Sequence, residues 1–127
     1  MYEEKDYIMR LIHELIRTLM KLLCGVDLDR REEDVLPATR KGRYLSFRQM
    51  IDDGDLNEAE NLLQEGLDIH DKADLELALL FYHYLNQKDD EFLKAHNFSR
   101  EEIQDGVAYV VDLYGYGSML GAFLEDF

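Results

Sequence analysis

Apolar side chains recur at helical spacing from the first turns of the chain. Ile8, Ile12, Leu15, Leu19 and Leu22 alternate four and three residues apart, the seam of a heptad, and Met9, Ile16 and Leu23 widen it into an apolar face. Arg10, His13, Glu14, Arg17 and Lys21 fall elsewhere around the same cylinder. Acids at Glu3, Glu4 and Asp6 suit the positive end of a helix dipole, and Gly25 suits its stop. The pattern predicts one long amphipathic helix over about Tyr2–Cys24. Charges interrupt it throughout, which argues against a secretory signal and against a membrane span.

Residues 25–43 break this pattern. The composition shifts to Asp-Leu-Asp-Arg-Arg-Glu-Glu-Asp, then to Leu36-Pro37 and the basic stretch Arg40-Lys41-Gly42-Arg43. The segment reads as a linker in which Pro37 ends any short helical turn before it. From Tyr44 onward the helical period returns. Tyr44, Phe47, Met50 and Ile51 give one face of a helix ending at Asp53-Gly54. Asp55 with Glu58 approximates a capping box for a second helix, with Leu56, Ala59, Leu62 and Leu63 inward and Gly66 at its end. The run from Leu75 to Leu85 is apolar nearly all round and predicts the buried centre. A short helix over about Asp90–His96 follows, then one opened by Ser99 and Glu102 that carries Ile103, Val107, Val110, Val111 and Tyr114. Gly115 and Gly117 break it, and Ser118 is expected to cap a last helix reaching about Glu125. No stretch sustains the two-residue alternation of a strand. The expected fold is all-α: an amphipathic helical arm (1–24), a linker (25–43) and a domain of antiparallel helical hairpins (44–127).

Composition refines this picture through charge. The 127 residues carry 28 acids and 14 Lys or Arg, a net charge of −14, yet 46% are hydrophobic, enough for a core. The excess acid is segregated: residues 1–48 hold 9 acids and 10 basic residues, while residues 49–127 hold 19 and 4. An acidic surface argues against broad nucleic-acid binding, which needs a basic one. The single cysteine, Cys24, excludes an intrachain disulfide scaffold and a zinc cluster built on cysteines.

Gly54-Asp55-Leu56-Asn57-Glu58-Ala59-Glu60-Asn61-Leu62-Leu63 resembles the turn and second helix of a tetratricopeptide repeat. Gly54 stands where that repeat closes its turn, Ala59 at the small position and Leu63 at the large apolar one. A period of about 34 residues carries Met50 onto Tyr84 and Gly54 onto Lys88. The second copy lacks the glycine, and Leu93 replaces its small residue, so the likeness is to TPR-like hairpins over residues 44–97. Separately, Glu4-Lys5-Asp6-Tyr7-Ile8-Met9-Arg10, followed by the long helix and this hairpin, resembles an uncharacterised family of small proteins from Gram-positive bacteria. That resemblance implies a bacterial cytoplasmic protein and brings no activity with it.

Candidate chemistry mostly gives way to structural roles. His13-Glu14-Leu15-Ile16-Arg17 opens like a zinc-protease motif but has Arg17 where the second histidine is needed. Asp53, Asp55 and Asn57 imitate the first ligands of a calcium loop, but Glu58 occupies the glycine position and Gln64 the bidentate glutamate position. His70, His83 and His96 lie 13 apart, a spacing that shares no helical face. Cys24 at a helix C-terminus faces the negative end of the dipole, unfavourable for a thiolate. Tyr114-Gly115-Tyr116-Gly117-Ser118 lacks the lysine and spacing of a phosphate loop. The Arg40-Lys41-Gly42-Arg43 cluster is read as docking on the acidic domain.

These readings leave a non-enzymatic protein–protein interaction module with no cofactor and no metal. Helix-in-groove recognition is its expected mechanism, with Met50, Tyr82 and Tyr84 as groove candidates. Ile8, Ile12, Leu15, Leu19 and Leu22 form the candidate interface of a homodimer, because so wide an apolar stripe must be covered. The protein partner is unknown. Two alternatives stand beside this: an enzyme or ligand binder using acids such as Glu76 and Asp112 with the tyrosines, and a regulator contacting nucleic acid through the basic linker.

Overall fold

The computed structural model describes the backbone of residues 4–29 and 36–125. Seven α-helices are described: α1 (Glu4–Leu19), α2 (Ala38–Asp52), α3 (Leu56–Glu65), α4 (Lys72–Asn86), α5 (Asp90–Ala95), α6 (Arg100–Leu113) and α7 (Gly117–Glu125). Among the described residues there is no strand.

The predicted centre is the observed one. From Leu75 to Leu85 only Glu76 and Tyr84 of α4 escape full burial, and α1, α2 and α6 all pack on this helix. Two rings fix its contact with α2, Phe47 meeting Phe81 edge-on at 5.5 Å between centroids. Ile103, Val107, Val110 and Val111 line the inner face of α6, and Leu56, Ala59 and Leu63 that of α3.

The described part of the arm predicted for residues 1–24, from Glu4 onward, is folded against this body. α1 packs on both α4 and α6, with Ile12, Leu15, Ile16, Leu19 and Met20 no more than 2% exposed. At Met20–Cys24 the helix widens into a π-turn and ends at Gly25, whose φ of +67° is the left-handed stop expected of it. A π-turn bonds i to i+5 and inserts a residue. The heptad seam therefore slips, and Leu23 is buried in place of Leu22, which is 62% exposed. The predicted homodimer stripe is spent inside the chain at Ile12, Leu15 and Leu19, while Ile8 is partly buried against the core.

The linker reading also needs correction. Pro37 opens α2 instead of only closing what precedes it, so Arg40, Lys41 and Arg43 ride on a helix. Proline suits this position because it has no N–H to leave unsatisfied at a helix start. Flanking it, Leu28 and Leu36 are buried at 7% and 3% exposure. The Arg30-Arg31 cluster lies outside the described residues.

The caps divide. Ser99 accepts the Glu102 N–H at 3.1 Å, as predicted, and Asp71 and Asp89 cap α4 and α5 through the amides of Ala73 and Phe92. Asp55 makes no side-chain cap bond. α7 starts at Gly117, one residue before the expected Ser118 cap, with the Asp112 carboxylate against that glycine.

Candidate functional site

Most of the polar clusters hold the helices in place. Arg40 donates from Nε to Asp74 Oδ1 at 2.6 Å and from Nη2 to Asp71, while Arg43 stands 3.6 Å from the same Asp74 oxygen. The other Asp74 oxygen accepts the Asp68 N–H at 3.0 Å. Tyr114 reaches from the end of α6 to donate to the Asp68 and Asp71 carbonyls at 2.7 and 3.2 Å. Burial, reinforced by Asp74, Asp71 and Asp68, pushes its phenol up to about 12. The second basic cluster thus docks on acids of the chain's other half, as the charge pattern suggested.

At the opposite end of α4, Arg100 is 5% exposed. It donates to Asn86 O at 2.6 Å, to Asn86 Oδ1 and Asp90 at 3.1 Å, and to the Lys88 carbonyl. It thereby satisfies carbonyls that the end of α4 leaves open. Asn86 in turn donates to Met9 O at 2.9 Å, tying α1 to the same point.

The groove expected around Met50, Tyr82 and Tyr84 is not an open one. Met50 packs half-buried on the core. Tyr84 lies under Arg48 and Lys88, whose charged ends are 4.5 and 5.0 Å from its ring centroid, and donates to Asp52 at 2.6 Å. Lys88 and then Tyr84 hold the Asp52 carboxyl below the usual carboxylate range. Tyr82 is fully buried. Periodicity could not separate groove from core here, because α4 is apolar on every side.

The hydroxyl of Tyr82 nevertheless bonds two residues that line a cleft. It donates to Glu60 Oε2 at 2.7 Å and accepts from Gln64 Nε2 at 3.0 Å. A glycine in α6 makes this reach possible. A β-carbon at Gly106 would stand 2.5 Å from the Tyr82 ring. Between α3 and α6 this leaves a cleft of about 280 Å³ lined by Glu60, Gln64, Glu102, Asp105, Gly106 and Tyr109. Tyr109 is 49% exposed. Desolvation, with Glu102 nearby, raises the Glu60 carboxyl above its ordinary value against the opposing pull of the Tyr82 hydrogen bond. Three carboxyl groups, an amide and an aromatic wall suit a cationic group: the carboxylates accept its N–H donors and the ring face attracts its charge. Of the lining residues, Glu60, Gln64 and Glu102 were named from sequence, as a hairpin residue, a failed calcium-loop position and a capping residue, while Asp105, Gly106 and Tyr109 were not. Gly106 in a helix interior was the signal that could have found the cleft, and it went unread.

The remaining candidates lie apart. Glu76 stands near Lys72 and Cys24, and Asp112 lies against Gly117. Burial, reinforced by Glu76, pushes the Cys24 thiol up to about 12, so it is not an activated nucleophile. His83 stacks on His13 at 5.4 Å, His96 sits over Gly54, and His70 borders a second cavity, so the three evenly spaced histidines do not meet. Among the described residues, no group of three or more His, Cys, Asp or Glu could hold a metal ion. No helix among them is long and apolar enough to cross a membrane. No curated protein and no solved structure matches the chain. Over residues 1–115 it matches a family of unknown function (DUF6483), and it belongs to that family.

Proposed function

We propose that this protein is a non-enzymatic helical interaction module whose α3–α6 cleft receives a lysine or arginine side chain of a partner protein. The carrying observation is the cleft itself: Glu60, Glu102 and Asp105 beside the half-exposed Tyr109, opened by Gly106. Charge supports the same reading, since residues 49–127 hold 19 acids against 4 basic residues, and two of those four are engaged internally. A guanidinium entering the cleft exchanges solvent for carboxylate oxygens and a ring face, which gives both steering and specificity. The α2–α3 pair is read as a TPR-like hairpin: Gly54 turns with φ +91°, while Ala59 and Leu63 are fully buried. The bacterial cytoplasm implied by the family resemblance remains part of the proposal.

The test is a fluorescence titration of synthetic peptides that differ only at one central residue: Arg, Lys, Gln or Glu. The proposal expects binding in the order Arg, Lys, then Gln and Glu together, and at least a tenfold loss for Arg in the E60Q/D105N variant. Equal binding of all four peptides, or unchanged Arg binding by the variant, overturns it.

A further inference from the structure

We draw no further inference here: the strongest candidate, the cavity of about 190 Å³ beside the start of α4 lined by Ile69, His70, Lys72, Leu75, Tyr114 and Tyr116, combines a helix N-terminus with one lysine, and nothing in the structure shows what fills it.

Discussion

Gly106 is an unfavourable residue for the middle of a helix, where glycine costs about 1 kcal/mol relative to alanine. Its place opposite Tyr82 explains it. Gly106→Ala improves helix propensity but drives a methyl into the Tyr82 ring, which has the Glu60 and Gln64 contacts to lose. We expect a net loss of about 1–3 kcal/mol, the scale of overpacking, measured by urea unfolding. In a Tyr82→Leu background the same substitution should be neutral or stabilising, and equal losses in both backgrounds would disprove the steric account. Arg100 makes a second residue-scale case. Its buried guanidinium serves two backbone carbonyls, Asn86 and Asp90 together. Arg100→Met should cost about 3 kcal/mol, because it leaves buried acceptors without donors. Arg100→Lys should recover only part of this, since one ammonium cannot reproduce the planar fork.

The helices themselves were largely legible in the sequence. Periodicity located α1, α3, α4 and α6, and Ser99 and Gly25 marked their ends correctly. Three features escaped it for physical reasons. α2 begins at Ala38, six residues ahead of its first apolar signal, because Arg40 and Arg43 bind acids of α4 instead of packing an apolar face. The π-turn exchanges Leu22 for Leu23, a slip that a strict heptad cannot express. The cleft joins α3 to α6 across forty residues, and neither helix alone shows an unsatisfied pattern. What periodicity also could not decide was whether the α1 stripe faces its own chain or another. Leu15 is 1% exposed, so Leu15→Asp should reduce folding stability by about 3 kcal/mol or more. A Leu15→Asp protein that keeps the parent melting temperature while losing a dimer in light scattering would show the stripe is used between chains.

Across the whole molecule, charge divides into a part that folds the chain and a part left facing solvent. Arg17 with Asp29, Arg40 with Asp71 and Asp74, and Lys88 with Asp52 spend cations internally. Among the described residues no cation pairs with the cleft carboxylates, and burial raises the Glu60 carboxyl above its ordinary value. Because its folded-state pKa is raised, the folded protein holds that proton more tightly than the unfolded chain. Its contribution therefore favours folding at pH below the ordinary glutamate range and is lost as pH rises through the raised value. Glu60→Gln should raise the melting temperature at pH 7, with the gain shrinking as pH falls to about 4. That gain would identify in the cleft a residue that weakens the fold, the pattern expected of a site kept for binding. The most direct measurement is an amide NMR titration with a short peptide containing one central arginine. At pH 7 the shifts should concentrate on Glu60, Gln64, Glu102, Asp105, Gly106 and Tyr109, weaken toward about pH 4 as Glu60 takes its proton, and disappear in the E60Q/D105N variant. Shifts scattered over the acidic surface and unchanged in that variant, or no shifts at millimolar peptide, would contradict the account.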